Sequence, residues 1–141
     1  MRRTILFLSL LLAAPAIRTA DAGDALVVIV HPSRKDMPRR AEIARIFLLQ
    51  RRFWSSGEAI VPVNRESGSE DRETFSRLVI GRSSTDLAAY WNEQYFQGVF
   101  PPLTLSSDAS VKRYVASEAG AIGYIDEAQA DDTVRVILKL R

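Results

Sequence analysis

The chain has 141 residues, 47% of them hydrophobic and 26% charged, with a formal charge of +2, one histidine and no cysteine. The absence of thiols excludes disulfides and thiolate metal centres, and a lone histidine excludes multi-histidine metal sites. A chain of this size supports one core rather than two.

In chain order, residues 1–22 read as a cleavable secretory signal. Arg2 and Arg3 give a positive start, Ile5 to Ala14 form an almost unbroken apolar run, and Ala20-Asp21-Ala22 fits the small-x-small pattern of signal peptidase. The run falls short of the ~20 apolar residues of a membrane-spanning helix, so no transmembrane segment is expected after cleavage. The arginine pair lacks the remainder of a twin-arginine pattern, which leaves general secretion, and no cysteine stands at the cleavage site for lipid attachment. The leader carries Arg2, Arg3, Arg18 and Asp21, so removing it leaves 16 of the 19 basic and 16 of the 17 acidic residues. Residues 23–141 are then formally neutral, and charge offers no argument for nucleic acid as a partner.

The mature part begins with a β-branched run, Leu26–Val30, read as a buried strand ending at His31-Pro32. From Pro38 the apolar stripe Ala41, Ile43, Ala44, Ile46, Phe47 and Leu48, set among Arg39, Arg40, Glu42 and Arg45, predicts an amphipathic helix. Gly57 marks a turn, and Ala59–Val63 a second strand whose Pro62 places it near an edge or an end. Ser69 caps the next helix, with Glu70 and Asp71 in the first turn where the helix dipole favours acids. This helix buries Phe75, Leu78 and Val79 and stops at Gly81. Another begins at Ser83 and runs through Leu87, Tyr90, Trp91 and Phe96 to a break at Phe100-Pro101-Pro102. Ser107-Asp108 caps a further helix containing Val111, Tyr114 and Val115. Gly120–Ile125 then turns into a strand, and residues 133–140 alternate as the last one. The order predicts an α/β sandwich around a mostly parallel or mixed sheet.

Most chemistry-bearing residues have a plain structural reading. His31 is the only histidine, and a catalytic role would need a nucleophile and an orienting acid that nothing in the sequence marks out. The pairs Asp126-Glu127 and Asp131-Asp132 lack the alternating spacing of a calcium loop and read as exposed turns. Arg34, Lys35, Arg39, Arg40, Arg51 and Arg52 flank the first helix as a solvated basic face. Tyr90, Trp91, Tyr95, Phe96 and Phe100 recur at a spacing that favours helix packing into a core, while any part left exposed around 95–102 suits a protein partner. No nucleophile-elbow or metal signature is present, and neither catalysis nor a cofactor is expected.

Several segments together resemble the phosphate-binding proteins of ABC transporters. The stretch Glu42–Leu48, then Trp54, Gly57 and Ile60–Arg65, is similar to that family's helix ending in I-F-x-G, its tryptophan, and its strand ending in arginine. The loop Arg65-Glu66-Ser67-Gly68-Ser69-Glu70-Asp71-Arg72-Glu73-Thr74-Phe75 resembles R-x-x-G-S-G-T-R-x-x-F, and Val115 through Gly120-Ala121-Ile122-Gly123-Tyr124 resembles V-x-x-x-x-G-A-I-G-Y. The likeness extends over about residues 26–125, and Tyr90-Trp91, Phe96, Gly98 and Pro101-Pro102 look typical of short, stand-alone members.

The resemblance implies a single lobe of the type II periplasmic-binding-protein fold over residues 23–141, exported to the periplasm and non-catalytic, whereas family members clamp an oxyanion between two lobes. It carries Arg65, Gly68 and Ser69 over as ligand-binding residues for phosphate or another small oxyanion. Glu70 and Asp71 stand where the family has glycine and threonine. A carboxylate about 5 Å from a bound anion, at an effective dielectric near 20, costs roughly 3 kcal/mol per unit of ligand charge. The expectation is therefore a weak or lost oxyanion binder, for which tight capture needs dimerisation or a second protein. The alternative is an envelope interaction module that keeps the fold without the ligand.

Overall fold

The computed structural model describes residues 25–141, and the expected export signal lies outside the described residues. The fold is organised around the first strand, β1 (Leu26–Val30), whose five residues are all buried. A strand without a polar face must be covered on both sides. Leu26, Val28 and Val30 enter one core, whereas Val27 and Ile29 enter another on the opposite face.

Around β1 the chain builds a five-stranded mixed sheet from β2 (Val61–Arg65), β3 (Leu103–Leu105), β4 (Ala121–Asp126) and β5 (Arg135–Leu140), in the order β3-β2-β4-β1-β5. β1 runs antiparallel to β4 and β5, while β2 runs parallel to β4 and β3. The helices α1 (Arg40–Phe47), α2 (Glu70–Phe75), α3 (Ser84–Phe96) and α4 (Asp108–Ser117) connect these strands. Ile43, Ile46 and Phe47 of α1 and Phe75 of α2 share a core with Trp54, Ile122 and Tyr124. Within it the Phe75 and Tyr124 rings stack 3.9 Å apart, 4° from parallel. On the other face Val111 and Val115 of α4 pack with Val27, Ile29, Val63 and Ile125. Gly123 permits that approach, because a Cβ there would lie 2.7 Å from Val111 Cγ1.

Four local features depart from the sequence reading. β2 begins at Val61 rather than Ala59 and lies inside the sheet. It accommodates Pro62 because β4 pairs with Val61 and Pro62 whereas β3 pairs only with Val63 to Arg65, so the missing N–H meets no ladder on that side. The single helix expected from Ser69 to Gly81 is α2 followed by a π-helical turn over Ser76–Ile80, closed where the left-handed Gly81 (φ 77°) donates to Ser76 O at 2.9 Å. β3 is an additional strand, formed just after Pro101-Pro102. The aromatic band of α3 does not form core: Leu87 is the buried residue of this helix, and Tyr95 and Phe96 are 60% and 88% exposed.

Candidate functional site

Parallel pairing of β2 with β3 brings the ends of both strands side by side, with Arg65 level with Leu105. The chain leaves β2 through a turn at Gly68, whose φ of 87° suits glycine, and enters α2. It leaves β3 directly into α4. The starts of two helices therefore approach Arg65, and both carry acids: Asp71 in the first turn of α2 and Asp108 as the first residue of α4. Helix starts and a guanidinium all favour negative charge, and here the chain supplies that charge itself.

Arg65 is buried, and its Nη1 donates to Asp71 Oδ2 at 2.9 Å and to Asp108 Oδ1. Its Nη2 donates to Ser106 O at 3.3 Å, and its Nε has no hydrogen-bond partner. The second Asp108 oxygen accepts from the Asp126 backbone N–H at 3.3 Å. Behind the site, Tyr124 Oη donates to Asn64 Oδ1 and accepts from the Arg65 N–H at 3.1 Å. Burial raises the Tyr124 phenol above its ordinary value, so it stays a neutral bridge. Asp71 also titrates above the usual carboxylate range, mainly through burial and then through repulsion from Asp108, against the pull of Arg65; Asp126 and Glu70 add to the repulsion.

The three residues carried over by resemblance thus have distinct roles in the fold. Arg65 is held by two carboxylates. Gly68 makes the turn and is exposed. Ser69 caps α2, its Oγ accepting from the Arg72 N–H at 3.1 Å. Arg72 Nη1 donates to Arg65 O at 3.1 Å and so ties α2 back to β2. Glu70 is exposed, whereas Asp71 turns inward. In the sequence Asp108 is legible only as part of a helix cap, because without β3 nothing brings α4 beside Arg65.

The remaining sequence candidates resolve into structural contacts. His31 Nδ1 lies 2.7 Å from Ser33 Oγ and accepts from the Ser33 N–H at 3.2 Å, in a local turn. Arg34 departs from the expected solvated face: it is buried, pairs with Glu58, donates to Ala119 O at 2.7 Å, and lies 4.8 Å from the centre of the Trp54 ring. Trp54 Nε1 in turn donates to Gly120 O at 3.0 Å. Asp131 accepts from Lys112 Nζ at 2.7 Å. Among the described residues, no cluster of acids and histidine is arranged to hold a metal ion, and no helix is long and apolar enough to cross a membrane.

Comparison with known proteins places this architecture. No family model matches the chain, and no curated protein matches its sequence. Solved structures match clearly. An ABC-type phosphate transport receptor from Vibrio cholerae aligns with 81% of the chain at 23% identity and a TM-score of 0.65. A structure from Clostridium perfringens with bound phosphate, assigned to the phosphate ABC transporter substrate-binding proteins, aligns with 81% at 23% identity and a TM-score of 0.67. PstS from Borrelia burgdorferi aligns with 81% at 18% identity and a TM-score of 0.62. The chain shares the α/β fold of these proteins over the aligned residues and spans 44–46% of their lengths.

Proposed function

We propose that this chain is an exported, non-catalytic, solute-binding-like domain that binds phosphate or a related small oxyanion weakly, because its own carboxylates occupy the arginine. The observation that carries the reading is the double pairing of Arg65 with Asp71 and Asp108. An incoming anion has to displace at least one carboxylate and then remain beside it. With a like charge roughly 5 Å away the cost is about 3 kcal/mol, or about two decades of affinity. The fold shared with phosphate receptors supports the ligand class, and the leader-like residues 1–22 support action in the periplasm.

Isothermal calorimetry with inorganic phosphate and sulfate at neutral pH tests this directly. The expected result is millimolar binding or none; micromolar binding overturns it. A second reading, an envelope interaction module that has abandoned the ligand, is favoured by the exposed aromatic residues Tyr95, Phe96 and Phe100. Arg65→Ala separates the two, since it abolishes residual anion binding and leaves a partner surface elsewhere intact.

A further inference from the structure

From the position of α3 in the fold, we infer that its C-terminal end, with the loop that follows, is a self-association surface whose occupant is a second copy of this chain. Helix α3 spans 13 residues, yet Leu87 is the one it buries. It is tethered at its start, where the Ser84 N–H and Oγ donate to Glu73, and midway by a hydrogen bond from Tyr90 Oη to Leu48 O at 2.8 Å. Beyond Tyr90 the residues Tyr95, Phe96 and Phe100 stand 60%, 88% and 64% exposed, and Leu103, a few residues on in the edge strand β3, is 44% exposed. The three rings already support one another: Tyr95 meets Phe96 at 6.2 Å and Phe100 at 5.5 Å, both edge-on. A patch assembled before binding loses less side-chain entropy on docking.

Charge selects the occupant. Between Leu87 and Ser107 the only charged side chain is Glu93, in a chain that is 26% charged. Around a two-fold axis each copy presents the same patch, so charges near the centre would meet their own kind; a self-docking surface has to be nearly uncharged there. A strongly basic or acidic partner would find nothing to pair with. The surrounding exposed residues, Asn92, Gln97 and Thr104, offer neutral hydrogen bonds in both directions. Area is consistent with a pair of copies. Large aromatic side chains bury roughly 150–250 Å² each, so the three rings and Leu103 at these exposures supply about half of the ~800 Å² per partner of a standard interface. The whole of α3 is about 20 Å long, so its remaining exposed residues extend the surface beyond the rings.

Sedimentation equilibrium of the purified full protein across a micromolar concentration series tests the inference. The expected result is a reversible dimer that Phe96→Glu converts to a monomer, with an unchanged far-UV circular dichroism spectrum because Phe96 contributes nothing to the core. Val136→Glu, at an exposed position on β5 at the opposite sheet edge, leaves the dimer intact. A wild-type protein that stays monomeric throughout overturns the inference, whether or not it captures some other protein. So does a dimer that survives Phe96→Glu. Neither outcome bears on the Arg65 site, whose anion affinity is measured separately.

Discussion

Arg65 donates to Asp71 at 2.9 Å, so the arginine that the sequence marks as an anion's partner is bound to a residue six positions along its own chain. Asp108 completes the arrangement from α4. One cation facing two carboxylates leaves the cluster with a net negative charge. Both helix starts then stabilise an internal anion where an external one could have been received. This organisation makes the site self-sufficient at neutral pH and defines how it should respond to substitution.

Asp71→Asn keeps the shape of the side chain and removes its charge. Arg65 then faces Asp108 alone, and an oxyanion meets one carboxylate fewer. Phosphate affinity is expected to rise about tenfold, a part of the two decades that a like charge about 5 Å away would cost. Calorimetry on the variant and the wild type side by side measures it, and equal affinities would show that Asp71 does not obstruct the site.

Proton linkage gives an independent check on Asp71. Its folded-state pKa lies above the ordinary 3.8, by burial first and by Asp108 next. The folded protein therefore holds this proton more tightly than the unfolded chain. The resulting stability is fully present below the unfolded value and fades as pH rises through the folded value. Asp71→Asn has no such proton, so its stability relative to wild type should increase from acid to neutral pH. Urea denaturation across that range reads the difference, and a constant gap would contradict the inward placement of the carboxylate.

Removing the cation instead of an anion should be harmful. Arg65→Met preserves much of the volume but leaves Asp71 and Asp108 facing each other without a counter-charge. Breaking a buried pair from one side costs about 3–5 kcal/mol; with Asp71 about a third exposed, solvent screening brings the expected loss to about 2–3 kcal/mol. Adding Asp71→Asn and Asp108→Asn should restore most of it, as measured by the shift in urea midpoint. Failure of that rescue would mean that Arg65 acts through packing alone.

How legible the molecule was depends on where each feature draws its stability. β1 could be read directly, because a strand covered on both faces must be apolar at every position, and Leu26–Val30 is. Ser69, Ser83 and Ser107 could be read as caps, because capping is settled within one turn. β3 could not: Leu103-Thr104-Leu105 is short and exposed in its first two residues, and exists through parallel pairing with a distant strand. The α3 aromatics follow a helical period, but a period shows which residues share a face and not whether anything covers it. The inward turn of Asp71 was hidden for a related reason. A first-turn acid suits the helix dipole whichever way it points, and its direction is decided by Arg65 and Asp108 across the site.

The packing of α4 offers a final prediction that joins the core to the site. A Cβ at position 123 would fall 2.7 Å from Val111 Cγ1 and 3.4 Å from Val115 Cγ2, both on fully buried side chains of α4. These valines are branched at Cβ and have little freedom to yield, so Gly123→Ala has to push α4 away from β4. Overpacking of this kind costs about 1–3 kcal/mol. Because α4 begins at Asp108, the displacement should also loosen the carboxylate's hold on Arg65. Gly123→Ala is therefore expected to lower the urea midpoint and, in an Asp71→Asn background, to raise phosphate affinity further. Val111→Ala added to Gly123→Ala should recover part of the stability by clearing the 2.7 Å contact. A Gly123→Ala variant as stable as wild type would show that α4 is not seated on the sheet as closely as this geometry requires.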